Sequence, residues 1–259
     1  MNEIEIFLKN TSEKLFLDNR ILALCVAGSW INKEIDKYSD LDLIIITKEK
    51  INTSKDIMLE IASNLGEIVA GFTGEHVGEK RLLICLYNNP VIHVDLKYLE
   101  ISEFDDRIEN PIIIWERDNI ISTKIENTQV KNEIVDYQWI EDRFWVWIHY
   151  AATKLGRGEL FETIDFLSFI RLTVIGPLLQ IKYNNLPRGV RKLEFRMDIE
   201  DINLLKSTVA EYSFSSIKNA INNITKIYKD LRIKLFPKNI KYLEEAENVS
   251  LLYLNNIKE

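Results

Sequence analysis

The sequence predicts an α+β fold, in which a mixed β-sheet flanked by helices is followed by a C-terminal α-helical bundle. Two observations predict it. Short apolar runs separated by turn residues occupy the first hundred positions, whereas after about residue 130 apolar residues recur every three or four positions. We therefore expect two domains, at residues 1–125 and 126–259, and a chain of 259 residues is long enough for both to bury a core.

The elements of the first half follow from apolar runs and turn residues. Continuous apolar runs of strand length are typical of strands that are covered on both faces. Asn88, Asn89 and Pro90 form a turn cluster, so the two strands that flank them are expected to pair as a hairpin. In chain order, the predicted elements are a helix at residues 2–18, strands at 21–27 and 41–47, a helix at 54–65, and strands at 82–87 and 91–98.

The second half has the period of amphipathic helices. Gly156 and Gly158 follow the first helical pattern as C-caps, and Pro177 is expected to stop or kink the second. The clearest loop is at residues 184–191, and short loops set neighbouring helices antiparallel in a bundle. The helical patterns cover residues 134–155, 160–175 and 214–235.

Charge and composition indicate which classes of molecule this protein could bind. The chain has 33 Lys and Arg against 40 Asp and Glu, a formal net charge of −7. This balance argues against coating of a nucleic acid and is compatible with a small cationic partner. Cys25 and Cys85 lie inside apolar runs and are expected to be buried, reduced thiols. With no signal peptide and no apolar run near the roughly 20 residues of a membrane helix, we expect a cytoplasmic protein that does not bind membranes.

The stretch with the clearest chemical signal joins the first two predicted strands. The first strand runs into Gly28 and Ser29, a polar loop follows, and the second strand opens with Asp40 and Asp42. Side chains two apart on a strand point the same way, so the two carboxylates should project from one face. Adjacent carboxylates repel each other unless a cation lies between them, and Mg²⁺ prefers oxygen ligands. Gly28 lets the backbone approach a phosphate group, to which Ser29 can donate.

A third carboxylate lies on the strand predicted at residues 91–98. Alternation puts His93, Asp95 and Lys97 on one face and apolar residues on the other. Aspartate is depleted in strand interiors, so Asp95 is a candidate functional residue. If this strand lies beside the strand at 41–47, three carboxylates converge at one edge of the sheet. His93 is interpreted as a polar neighbour, because Mg²⁺ prefers oxygen.

This pattern resembles that of the polymerase-beta-type nucleotidyltransferase superfamily, with a Gly-Ser turn, ten intervening residues, an Asp-x-Asp and a later strand aspartate. A mixed-sheet domain followed by a helical bundle is similar to antibiotic nucleotidyltransferases that act on aminoglycosides or lincosamides. The resemblance implies two Mg²⁺ ions held by Asp40, Asp42 and Asp95. It implies that Gly28 and Ser29 contact the triphosphate. It also implies transfer of a nucleoside monophosphate, from ATP by default, to a hydroxyl of a small molecule such as an aminoglycoside.

The base that would deprotonate the acceptor hydroxyl has several candidates. Glu75 is favoured as a catalytic residue, because its segment precedes the strand pair expected to border the metals. Triphosphate oxygens could also be bound by cationic side chains near the end of the first bundle helix. The other candidate bases are Glu141, Glu159 and Asp95, and the cationic candidates are Lys154 and Arg157.

Two polar residues interrupt apolar stripes of the predicted bundle. Glu141 and Arg171 are expected to pair with each other there, as buried charges are tolerated when paired. On the same helix, Arg143 and His149 have the spacing of the Arg…His motif of HEPN ribonucleases, which leaves open a separate activity of the helical half.

Two other functions compete with transfer to a small molecule. The same reaction could modify a protein or a nucleic acid, and the acidic composition argues mildly against the nucleic acid. A non-catalytic regulatory or antitoxin-like module is the third hypothesis. The presence of all three aspartates argues against that module, because clustered like charges have no structural benefit. The sequence does not indicate an oligomeric state.

Overall fold

Strands and helices are segregated along the chain in the computed structural model, which describes residues 3–131 and 135–259. The chain divides into two units, Met1–Asn132 and Glu133–Glu259. The first holds the strands and the second is helical, so the predicted α+β class is confirmed. Helix α3 (Ile120–Asn127) belongs to the first unit, where Ile121 is buried against the sheet. The predicted helical positions 2 and 134 lie outside the described residues.

A mixed sheet forms the centre of the first unit. Its strand order is β3-β4-β5-β2-β1-β6. Strands β2 and β5 are parallel neighbours, and the other pairs are antiparallel. In the described residues the strands are β1 (Ile21–Val26), β2 (Leu41–Thr47), β3 (Glu67–Gly74), β4 (Glu79–Asn88), β5 (Ile92–Glu100) and β6 (Ile112–Glu116).

Both faces of this sheet are covered. Helices α1 (Glu3–Phe16) and α2 (Lys55–Ser63) pack on one face, where they bury the apolar side chains of β2 and β5. Helix α3 and a 3₁₀ helix at Ile101–Asp106 pack on the other face. Asp42 and Asp95 alternate with the residues buried under α1 and α2, so they lie on the face of the 3₁₀ helix.

The two edge strands were not predicted from the sequence. Strand β3 is mostly exposed or half-buried and contains two glycines, and β6 is short and has no fully buried residue. Edge strands of this kind lack the continuous apolar run that identifies an interior strand. Cys25 and Cys85 are buried as expected, and burial raises the pKa of their thiols to about 12 and about 11.

The second unit is a set of helices around one apolar core. The predicted helical patterns correspond to the helices at residues 137–156, 160–170 and 214–235. Loop residues are found at 184–191, as expected. In the described residues the helices are α4 (Tyr137–Gly156), α5 (Leu160–Ile170), α6 (Gly176–Lys182), α7 (Leu193–Arg196), α8 (Ile199–Lys206), α9 (Phe214–Leu235) and α10 (Glu244–Asn256).

A stop or a kink was expected at Pro177, and the structure shows that the helical segment does not end there. A π-helical turn at Arg171–Ile175 joins α5 to α6, and Pro177 falls in the first turn of α6, where a missing N–H is tolerated. The continuous segment Leu160–Lys182 is long and apolar enough, by length and composition alone, to cross a membrane. Half of its apolar window is buried within the unit, and core helices of soluble proteins pass the same test.

A buried ion-pair network fixes three helices of the second unit to one another. Glu141 of α4 is fully buried and accepts hydrogen bonds from Tyr228 Oη at 2.5 Å and Arg232 Nη1 at 3.0 Å. Arg232 also donates to Glu247 of α10 at 2.7 Å. The expected pair of Glu141 with Arg171 is wrong, because the guanidinium of Arg171 donates to the carbonyl of Thr208 at 2.7 Å.

Candidate active site

The turn after β1 brings backbone against a carboxylate of β2. The N–H of Ala27 donates to the carbonyl of Asp42 at 3.0 Å, and a 3₁₀ helix at Gly28–Trp30 follows. Gly28 has a φ of +62°, and a Cβ added there would lie 1.9 Å from Oδ2 of Asp42. A side chain at this position would therefore displace the carboxylate. Glycine is required both for the backbone conformation and for the close approach.

Replacing Gly28 with alanine should destabilise the fold more than the same change at Gly78. Both glycines have positive φ, but a Cβ on Gly78 would meet nothing within 4 Å. Backbone strain alone should lower the free energy of unfolding by about 1–2 kcal/mol in each variant. The contact with Asp42 should add about 1–3 kcal/mol for Gly28→Ala. Urea unfolding of both variants measures the difference, and equal losses would show that the carboxylate moves away without penalty.

Ser29 places a buried polar group in the same turn. Its Oγ is buried and has no hydrogen-bond partner among the described residues. Buried hydroxyls are almost always hydrogen-bonded, so this one is available to a water molecule or to a ligand bound at the turn. A hydroxyl at the start of a 3₁₀ helix can donate to an anion such as a phosphate oxygen.

The two strand aspartates are direct neighbours. In the parallel pairing of β2 with β5, Asp42 is the Cα partner of Asp95. Adjacent strands lie about 4.8 Å apart, and in-register side chains of parallel neighbours point to the same face. The Asp95 side chain is 22% exposed, so its charge is only partly solvated. Two carboxylates in this arrangement repel each other and attract a divalent cation.

Asp40 comes just before the strand that carries Asp42. Strand β2 begins at Leu41, so Asp40 is in the loop that precedes it and is half-buried. Within residues 3–131 and 135–259, no three His, Cys, Asp or Glu side chains are close enough to hold a metal ion. The register therefore accounts for two carboxylates, Asp42 and Asp95, and the third ligand remains a prediction from the resemblance. Two carboxylates are a fitting donor set for Mg²⁺, which is commonly bound by one or two of them together with substrate phosphates.

The neighbours of Asp95 on its own strand have separate partners. His93 Nε2 lies 2.8 Å from Oδ1 of Asp95. Lys97 Nζ lies 2.8 Å from Oε2 of Glu79, which also receives a two-point contact from Arg81 at 2.7 Å. Burial alone would raise the pKa of Glu79, but the hydrogen bonds from Arg81 and Lys97 outweigh it and hold the pKa at about 2.

A cavity of about 240 Å³ opens beside the two aspartates, between the sheet and the 3₁₀ helix Ile101–Asp106. Asp42, Asp95 and Lys97 contribute to its lining, with Glu79 and Arg81 of β4. The two β4 residues were missed at the sequence level. Their charged run at the start of β4 gives no local sign that it faces the aspartates, because the pairing of β4 with β5 decides that.

Glu75, the favoured candidate base, is not brought to the aspartates. It begins a short 3₁₀ helix, Glu75–Val77, after edge strand β3, and β4 separates that strand from β5. The residue is exposed and is not part of the cavity lining. A hydrogen bond from Thr73 is the main cause that lowers its pKa, which makes it a weaker base. Its catalytic role stays a prediction without support from the geometry.

The remaining candidates in the second unit are engaged in ion pairs. Glu141 is enclosed in the buried network described above. Lys154 Nζ lies 2.6 Å from Glu159 Oε2, and Arg157 lies 3.7 Å from the other oxygen of the same carboxylate. Asp95, which was also a candidate base, lies beside Asp42 in the sheet of the first unit.

Comparisons with known proteins find solved structures that are similar to this chain at low sequence identity. No family model matches the chain, and no curated protein does so. An aminoglycoside 6-adenyltransferase from Bacillus subtilis is 15% identical, with 99% of each chain covered and a TM-score of 0.40. A nucleotidyltransferase-like protein from Exiguobacterium sibiricum is 11% identical, with 96% of this chain and 78% of that one covered and a TM-score of 0.38.

A third similar structure is named as a synthase. A STING-associated c-di-GMP synthase from Capnocytophaga granulosa is 14% identical, with 90% of this chain and 81% of that one covered and a TM-score of 0.31. Similarity at these values does not define an activity, so function has to be inferred from the residues of this chain.

Proposed function

We propose that this protein is a Mg²⁺-dependent nucleotidyltransferase that moves AMP from ATP to a hydroxyl of a small molecule. The observation that carries the proposal is the in-register pair Asp42 and Asp95 beside Gly28, whose missing side chain leaves room at the Asp42 carboxylate. The buried hydroxyl of Ser29 on the same turn, which finds no hydrogen-bond partner in the part of the chain that the structure describes, supports it. A cation-attracting pair and an unused donor next to a glycine turn are the parts that a nucleoside triphosphate requires.

The charge of each side chain decides its proposed role. Asp42 and Asp95 hold the cations, with Asp40 as the expected third ligand. Ser29 and the N–H groups of its turn bind triphosphate oxygens. Two bound Mg²⁺ ions would supply charge stabilisation for the attacking and leaving oxygens. The chain itself positions the reactants, so that an acceptor hydroxyl attacks the α-phosphorus in line and pyrophosphate departs.

The acceptor is proposed to be a small molecule with several hydroxyl groups, and an aminoglycoside is the first class to test. The net charge of −7 suits a cationic acceptor and opposes binding of a nucleic acid. We propose a cytoplasmic location, where nucleoside triphosphates are available and buried thiols such as Cys25 and Cys85 stay reduced.

Pyrophosphate release tests this proposal. The purified chain is incubated with Mg²⁺ and each of the four nucleoside triphosphates, against a panel of aminoglycosides and lincosamides. We expect release that depends on one class of acceptor, on the metal and on the nucleotide, and loss of that release in Asp42→Asn. Mass spectrometry of the acceptor should show the added nucleoside monophosphate.

Two outcomes would contradict the proposal. Release at the same rate from the wild type and from Asp42→Asn would show that the aspartate pair is not involved. Absence of release and of nucleotide binding would leave the two carboxylates without a catalytic role and favour the non-catalytic module. Transfer of the nucleoside monophosphate to a protein would agree with the proposed reaction but contradict the proposed small-molecule acceptor.

A further inference from the structure

Asp95 lies between two other polar side chains on the same face of β5. Lys97 follows it by two residues, but Glu79 holds the Lys97 ammonium group at 2.8 Å. His93 precedes it by two residues and lies 2.8 Å from Oδ1 of Asp95 through Nε2. The imidazole of His93 is thus a hydrogen-bond partner of the Asp95 carboxylate, whereas the ammonium group of Lys97 pairs with Glu79.

The direction of this hydrogen bond follows from the chemistry of the two groups. An ionised carboxylate only accepts hydrogen bonds, so the Nε2–H of His93 donates to Oδ1. The bond fixes the rotation of the carboxylate and leaves Oδ2 for another partner. Asp42 lies beside this carboxylate on the neighbouring strand, in register with Asp95.

The exposure of the two side chains argues against a role in stability. The His93 side chain is 52% exposed and that of Asp95 is 22% exposed. Interactions between charged or polar groups at this exposure contribute little to folding. The hydrogen bond between His93 and Asp95 is therefore better explained by its effect on the orientation of the Asp95 carboxylate than by an effect on stability.

We propose that His93 is a positioning residue that orients the Asp95 carboxylate for cation binding. This inference rests on the proposed function. Hydrogen-bonding partners of metal-binding carboxylates typically change metal affinity about 10- to 100-fold when they are removed. His93 does not contact the metal in this role, which agrees with the preference of Mg²⁺ for oxygen.

The geometry also specifies which substitutions keep the bond. The donor is Nε2, the nitrogen farther from the backbone. A glutamine amide nitrogen reaches about as far as Nε2, whereas an asparagine amide nitrogen reaches only about as far as Nδ1. His93→Gln should therefore retain the function, and His93→Asn should lose it together with His93→Phe.

Manganese binding to the protein without nucleotide provides the test, because Mn²⁺ is paramagnetic and substitutes for Mg²⁺ in oxygen sites. Free Mn²⁺ is measured by electron paramagnetic resonance for the wild type and for the three His93 variants. His76→Phe, at the other histidine of the first unit, is the matched control; this ring is exposed and packs on Phe72. We expect Kd to rise about 10- to 100-fold in His93→Phe and His93→Asn and to stay within about 3-fold in His93→Gln and His76→Phe.

Steady-state kinetics add a second measurement. The concentration of Mg²⁺ for half-maximal rate should rise in His93→Phe, while kcat at saturating Mg²⁺ returns to within about 3-fold of the wild type. Melting temperatures should stay within about 3 °C, because the bond contributes little to folding.

The failures can be told apart. If Asp42→Asn loses Mn²⁺ binding but His93→Phe binds as the wild type does, the inference on His93 is wrong and the proposed function stands. Equal weakening in His93→Gln and His93→Phe would also overturn it, because the hydrogen bond would then not be the cause. If the wild type binds no Mn²⁺ at millimolar concentration and releases no pyrophosphate, both proposals fail.

Discussion

Replacing Asp42 with asparagine is expected to lower the turnover of nucleotidyl transfer by about 10³-fold or more, equivalent to roughly 4 kcal/mol of lost transition-state stabilisation. Asparagine keeps the shape of the side chain and removes its negative charge. Asp42 is the in-register neighbour of Asp95 and is the carboxylate against which Gly28 packs. Loss of this charge therefore weakens the attraction for divalent cations at the point where the triphosphate is proposed to bind.

The same substitution should leave the fold in place. Removing one of two adjacent like charges relieves repulsion in the metal-free protein, so Tm should be unchanged within about 3 °C or slightly higher. Asp118→Asn makes the same chemical change at an exposed position with positive φ, where asparagine is tolerated, and should keep full activity. A large fall in Tm for Asp42→Asn would show that the carboxylate is needed for folding, and the loss of activity could then not be assigned to chemistry.

Replacing Glu141 with alanine is expected to lower the free energy of unfolding of the second unit by about 3–5 kcal/mol. Glu141 is fully buried and accepts hydrogen bonds from Tyr228, Arg232, the indole of Trp145 and the N–H of Leu243. Alanine would leave the Tyr228 hydroxyl without its acceptor and Arg232, which is 7% exposed, with Glu247 as its remaining carboxylate partner. Buried donors without acceptors are strongly destabilising.

Differential scanning calorimetry measures this effect. Glu245→Ala removes a carboxylate from an exposed position of α10 and should change stability by no more than about 0.5 kcal/mol. If Glu141→Ala changes stability as little as Glu245→Ala does, water enters the site and satisfies the hydrogen bonds of the network. The double variant Glu141→Leu with Arg232→Met should recover part of the loss, since an apolar pair of similar volume replaces the buried charges.

The candidate site could be predicted in part. Gly28, Ser29, Asp42 and Asp95 were identified because a glycine turn before a strand and aspartates within strands are locally unusual. The structure brings Asp42 and Asp95 together, although 53 positions separate them in the chain. It does not bring Glu75 to them, because that assignment depended on nearness in sequence, and the sheet order inserts β4 between β3 and β5.

The sequence by itself determined which segments are interior strands and which are long helices, since backbone and side-chain periods of 2 and 3.6 residues are set by near neighbours in the chain. Only the tertiary structure decided which side chains pair with each other. Glu141 was expected to pair with Arg171 and pairs instead with Arg232, 91 positions away. Such pairings follow from the burial and hydrogen bonding of the whole unit, which no local pattern contains.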